Sequence, residues 1–220
     1  MIIPYVIEKT ADGERSFDLF SRLLEDRIVR LCGEVTDESA NIIKAEIAFL
    51  DNKDSSKPIL FYIDSPGGSC TAGLGIIDTM DAAKAPVYTI CDGFAASMGA
   101  AILSSGDKRF ATKNASIMFH QASGRNEGNV QDQRVSFKEM ERINNVLINI
   151  IIENCGLKKE EYEKLTIRDC WLSSEQALNE FGAYGAIDEI IQPTKKKIRI
   201  KKQKNKEKKW KKKMTSKLIL

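Results

Sequence analysis

Most of what a sequence can offer a chemist is scarce in this one. Among 220 residues there is a single histidine, His120, so any chemistry that needs an imidazole has one source. The five cysteines (Cys32, Cys70, Cys91, Cys155 and Cys170) are odd in number, far apart and without a C-x-x-C pair. Such spacing argues against a zinc module or a disulfide framework and fits a reducing cytosol. Long apolar runs are missing too: Ile148–Ile152, interrupted by Asn149, falls far short of a membrane span. The opening Met1-Ile2-Ile3-Pro4-Tyr5-Val6-Ile7 has no basic lead, and Glu8 cuts its apolar stretch short, so it does not read as a signal peptide. No internal repeat is found. No G-x-x-x-x-G-K-[ST] loop occurs either, so the chain is not expected to bind nucleotide.

What is present suits a soluble globular chain with one sizeable core: 42% hydrophobic and 30% charged residues. The formal net charge of +3 hides an asymmetry. From Thr194 to Leu220 there are thirteen Lys and one Arg against one Glu, a net +13. Residues 1–193 keep 20 basic and 30 acidic residues, a net −10. An acidic body (1–193) and a basic tail (194–220) are separate physical objects. The tail is low-complexity, poor in apolar groups and expected to be a solvated, disordered extension. A sharper alternative gives it a contact with nucleic acid or an anionic membrane, Trp210 and Leu218-Ile219-Leu220 adding apolar grip.

The body alternates strand-like and helix-like segments. Ser16 offers a cap for a helix carrying Phe17, Phe20 and Leu24. Ile28–Cys32 reads as a strand. Thr36 caps a helix with Ala40, Ile43, Ile47 and Leu50 along one face. Ile59–Ile63 is an unbroken apolar run, as a strand covered on both faces requires. A helix through Leu74–Ala83, a strand at Val87–Cys91 and another at Ser116–Phe119 follow. A long helix over Val130–Cys155 shows an apolar stripe of Ile143, Leu147, Ile150 and Ile151. Ser173-Ser174-Glu175-Gln176 opens a last helix, which Gly182 should stop. Strands separated by helices in this rhythm predict an α/β fold with a largely parallel sheet, whose functional loops lie at strand C-termini.

Three turns lie there. In Gly93-Phe94-Ala95-Ala96-Ser97-Met98-Gly99-Ala100, Ser97 falls between a strand end and a helix start among small residues. A nucleophile can be presented at such a place, although a simple helix cap has the same look. The elbow of serine hydrolases has G-x-S-x-G, and here Ala95 replaces the first glycine. A serine hydroxyl needs a base, and His120 is the imidazole available, unless it is a buried histidine closing a strand. Many acids could orient the ring; Asp169 is attractive because its apolar neighbours suggest a partly buried carboxylate. In Ser65-Pro66-Gly67-Gly68, two glycines allow close approach of a substrate strand, and N–H groups of Gly68 and Met98 could receive an oxyanion. An ordinary turn would carry the same residues.

Taken together, Ser65-Pro66-Gly67-Gly68, Gly93–Ala100, Met118-Phe119-His120-Gln121 and Arg168-Asp169-Cys170-Trp171-Leu172-Ser173 closely resemble the proteolytic subunit family of the ATP-dependent Clp protease. Ile3–Glu8 and Gly13–Asp18 resemble that family's mature N-terminus, and the likeness spans about residues 3–192. It implies a crotonase-like fold in which Val130–Cys155 is a protruding handle. By the same resemblance Ser97 is the nucleophile, His120 the base, Asp169 the orienting acid, and Gly68 and Met98 the oxyanion donors. Substrate would add as a strand between Gly67, Ser69, Cys70 on one side and Gln121, Ala122, Ser123, Gly124, Arg125 on the other. No cofactor or metal is implied. Heptameric rings stacked in pairs would enclose a chamber fed with unfolded chains by an AAA+ unfoldase of the ClpX, ClpA or ClpC type, in cytoplasm or organellar stroma.

The chain departs from the family at Ala122, where a proline is usual, in a handle approach poorer in glycine (Ser123–Gly128), and at Ile167, where an acid is usual. The Lys-rich tail is foreign to the pattern. Rival readings are a ring subunit without chemistry, an acyl-CoA enzyme of the same fold, and a peptidase that works without an unfoldase.

Overall fold

The computed structural model describes residues 3–10, 13–124 and 127–192. Tyr5–Thr10 (β1) and Gly13–Asp18 (β2) pair as an antiparallel hairpin, with Val6 opposite Phe17 and Ile7 opposite Ser16. This corrects the helix expected from Ser16. The ladder holds Ser16 and Phe17 extended, and helix Leu19–Glu25 (α1) is capped by Asp18 instead. The Asp18 carboxylate accepts the Phe20 and Ser21 N–H groups at 3.0 Å.

Ile28–Cys32 (β3) leads to Asp37–Lys53 (α2), capped by Thr36 and burying Ala40, Ile43, Ile47 and Leu50, the face its spacing predicts. Ile59–Ser65 (β4), Cys70–Ala82 (α3), Val87–Ala96 (β5) and Met98–Ser104 (α4) keep the alternation. Lys108–Thr112 (β6) and Ser116–Phe119 (β7) precede Val130–Cys155 (α5), which Gly156 ends at φ +70°. Lys159–Leu165 (α6), Cys170–Ser173 (β8), Ser174–Asn179 (α7, with the expected capping box on Ser173) and Glu189–Ile191 (β9) follow.

The main sheet runs β3-β4-β5-β6-β9, and its first three junctions are parallel. β5 is long enough to fork. Tyr88–Cys91 pairs with β6, while Phe94–Ala96 pairs in parallel with β7, which carries β8 antiparallel on its far side. In β4, Ile59, Phe61 and Ile63 are fully buried, but Leu60 and Tyr62 are only half-buried. The strand is therefore not sealed on both faces as its apolar run predicts. α2 and α4 cover one face, and among the described residues the other is partly open.

Residues up to Ile190 form one compact unit. Its core joins Ile47 and Leu50 of α2, Ile76 of α3 and Ile102 of α4 to the β4 side chains. Arg109 of β6 is buried, and its guanidinium donates to Asp188 and to the carbonyls of Asn154, Tyr184 and Gly185, tying the C-terminal loop to the sheet. Only the last turns of α5 enter the core, through Ile148, Ile151 and Cys155. Its first turns leave Val130, Val135 and Phe137 exposed. The Lys-rich segment expected to be unstructured lies outside the described residues, as does Arg125.

Candidate active site

Ser97 is the one residue between β5 and α4. It adopts φ 54°, ψ −121°, a conformation costing on the order of 1–3 kcal/mol for a residue with a side chain. Backbone bonds hold it there: Ser97 N–H donates to Met118 O at 2.9 Å, and Ser97 O accepts from Ala100 and Ala101 N–H at 3.0 and 3.1 Å. The hydroxyl makes no helix cap. It meets His120 instead, with Oγ 2.6 Å from Nε2.

Strand register explains the encounter. Ala96 lies beside Met118 in the β5–β7 pair, so the next residues along both strands bring Ser97 toward Phe119 and His120. Across the antiparallel β7–β8 pair, Phe119 faces Cys170, which leaves His120 facing Asp169. Asp169 Oδ1 stands 4.0 Å from His120 Nδ1, an ion-pair distance longer than a hydrogen bond. The Asp169 side chain is 58% exposed against 25% for His120. The partly buried carboxylate expected from its neighbours is thus corrected: Ile167 and Trp171 are themselves exposed and do not cover it. Trp171 stacks on Phe94 at 5.8 Å across β7, clipping the Asp169 strand to β5.

Gly67 and Gly68 are where glycine is required. Their φ values are +92° and +146°. A Cβ on Gly67 would come within 2.7 Å of Ala96 O and Ser97 Cβ and 2.8 Å of Met98 N, so this turn lies directly against the serine. Val35 N donates to Gly67 O and Ser69 N to Val35 O, both at 2.8 Å, in a parallel bridge that leaves the N–H of Gly68 itself facing the other edge. The Met98 N–H is in the first turn of α4, where no intrahelical acceptor exists.

A family model described as Clp protease matches residues 11–194. The chain belongs to the Clp protease family. Membership makes proteolysis its activity, and the mostly parallel α/β sheet accords with that family's fold.

In this Clp protease, Ser69 caps α3 by accepting the Ala72 N–H, and Cys70 follows at the first helical position. Burial pushes the Cys70 thiol up, so it stays protonated at neutral pH and is a poor nucleophile. Gln121, Ser123 and Gly124 are exposed, and Ala122 is half-buried. Ser97, His120 and Cys70 open onto a small cavity of about 20 Å³ closed by Tyr162, Ile148 and Ile151. Sequence reading missed these lining residues. Tyr162 belongs to α6, whose charged sequence Lys159–Lys164 hides its one buried position. Asn144, also on the lining, donates no motif; its position one turn before Ile148 on α5 was the available signal.

Proposed function

We propose that the chain is a serine endopeptidase in which Ser97 attacks the scissile carbonyl. His120 Nε2 takes the Ser97 proton and returns it to the leaving amine, and Asp169 stabilises the imidazolium from the Nδ1 side. N–H groups of Gly68 and Met98 receive the oxyanion, with α4 adding its N-terminal dipole. The observation that carries this reading is the 2.6 Å contact between Ser97 Oγ and His120 Nε2, made by a serine whose hydroxyl caps nothing.

The family supports a larger arrangement. In it the fold is crotonase-like, α5 is a handle, and heptameric rings stack through their handles around a chamber. An AAA+ unfoldase threads unfolded chains in, and the extended substrate lies between Gly67–Cys70 and the segment from Gln121. The assembly works in the cytoplasm or an organellar stroma. Confinement explains how a general endopeptidase spares folded proteins.

A fluorophosphonate probe tests the chemistry. Labelling at Ser97, absent in Ser97→Ala and strongly reduced in His120→Ala, is the expected result. A parent chain that stays unlabelled in every assembly state would favour the ring subunit without chemistry. Turnover of an acyl-CoA thioester, with no peptide cleavage, would favour the rival enzyme class.

A further inference from the structure

The stretch that follows the catalytic histidine is held in place by one side chain. Gln121–Gly124 belongs to no strand or helix. Among the described residues its single hydrogen bond to the rest of the fold is Ala122 N–H to Asn144 Oδ1, at 2.9 Å. Asn144 sits on α5 one turn before Ile148 and two before Ile151, the residues that anchor this helix to the core. It lines the same cavity as Ser97, His120 and Ala122. A second cavity of about 480 Å³ is lined by Ala122–Gly124 together with Val135, Met140 and Ile143 of α5. The backbone thus runs beside a cavity and is hydrogen-bonded to the helix at one point among the described residues, two residues past His120.

The residue at the pin makes the bond possible. Ala122 stands where the family usually has proline, which has no N–H to donate. An alanine there supplies a donor that must be satisfied once substrate displaces water, and a less restricted φ that must be held by other means. Asn144 does both. The accepting atom has to be its oxygen, since the partner is an N–H. In an extended chain, the N–H and C=O of one residue face one edge and those of the next residue the other. With Ala122 turned to α5, the backbone groups of Gln121 and Ser123 are left facing an incoming peptide.

We propose that Asn144 is a positioning residue for peptide substrates: through Ala122 N–H it fixes the edge and spacing at which Gln121 and Ser123 pair with the substrate backbone. The inference rests on the serine-peptidase reading and adds a residue whose effect lies in peptide binding rather than in the Ser97–His120 chemistry.

The test compares the full-length parent with Asn144→Leu, Asn144→Asp, and Asn144→Leu combined with Ala122→Pro. For each, KM and kcat on a fluorogenic peptide of several residues are read beside the fluorophosphonate labelling rate at Ser97 and the sedimentation coefficient. Asn144→Leu should raise KM about tenfold, the scale of one unsatisfied donor, and change the labelling rate less than about twofold. Asn144→Asp keeps an acceptor and should stay within about threefold of the parent KM. Adding Ala122→Pro removes the orphaned N–H and restrains φ, so it should recover most of the loss. An unchanged KM in Asn144→Leu overturns the inference. So does a loss shared equally by labelling, accompanied by altered sedimentation, or not recovered by Ala122→Pro. Should Asn144→Leu fail to fold, Asn144→Ala decides by the same readings: a KM raised about tenfold with the labelling rate kept is the expected result, and an unchanged KM overturns the inference. A parent that is never labelled instead sinks the serine-peptidase reading beneath it.

Discussion

His120 Nε2 is 2.6 Å from Ser97 Oγ, whereas Nδ1 of the same ring is 4.0 Å from Asp169 Oδ1. The imidazole is engaged firmly on the nucleophile side and loosely, in an exposed setting, on the acid side. The three side chains should therefore differ in weight. Ser97→Ala and His120→Ala are each expected to lower kcat by about 10⁵-fold or more. Water can partly replace a solvated carboxylate, so Asp169→Asn should cost about a thousandfold, less than either partner. Steady-state cleavage of a fluorogenic peptide measures all three. Equal losses would show that the carboxylate closes onto Nδ1 during turnover.

Gly67 should tolerate no side chain. The clash expected of Gly67→Ala is with Ala96 O, Ser97 Cβ and Met98 N, which are parts of the site itself. A displacement of about 1 Å there is expected to cost about 100-fold in kcat/KM. The positive φ adds on the order of 1–3 kcal/mol of strain. Probe labelling rate and thermal melting, measured on the same preparation, should both fall.

Arg109 is a buried cation away from the site that gathers several acceptors. Arg109→Leu would leave the carbonyls of Asn154, Tyr184 and Gly185 without their guanidinium donor, and Asp188 with the backbone N–H of residue 109 but no cation. A loss of about 3 kcal/mol is expected, at the low end for a broken buried pair because Asp188 is 41% exposed. Urea titration should show a lower midpoint with an unchanged slope. Arg109→Lys should restore only part of it, since one ammonium cannot reach the same fork of acceptors.

Burial pushes the Cys91 and Cys155 thiols up to about 12 from the ordinary value of 9.0. Between those limits the unfolded chain has released protons that the folded chain keeps, so ΔG of unfolding falls as pH rises above about 9, by roughly 1.4 kcal/mol per thiol per pH unit. Denaturant melts at pH 8, 9 and 10 should reveal this decline, and Cys91→Ala should lessen it. At pH 8, iodoacetamide is expected to alkylate the exposed Cys32 in the native protein and Cys91 and Cys155 only after unfolding, which peptide mapping resolves.

Elements with a strong local signature were legible in the sequence. α2 declares its cap at Thr36 and its buried face at Ala40, Ile43, Ile47 and Leu50, and α5 declares its full span, because one-sided burial writes a 3.6-residue period. β6 escaped because Lys108 and Arg109 open it, and only tertiary contact reveals that Arg109 is buried. β2 escaped because its pairing with β1 overrides the helix periodicity of Phe17 and Phe20. At the site, residue types and motif order singled out Ser97 and His120. No local pattern reports how far Asp169 is exposed, since that depends on whether Ile167 and Trp171 fold over it. Nor does any pattern report the Ala122–Asn144 bond, which joins residues 22 apart in the chain.

Among the described residues, β8 reaches the sheet by way of β7. On the ribosome, then, Ser97 and His120 emerge well before Asp169 and the strand that follows it. A nascent chain, or one cut short before Asp169, carries Ser97 and His120 without that carboxylate. The three side chains are thus present together only once most of the body has been made.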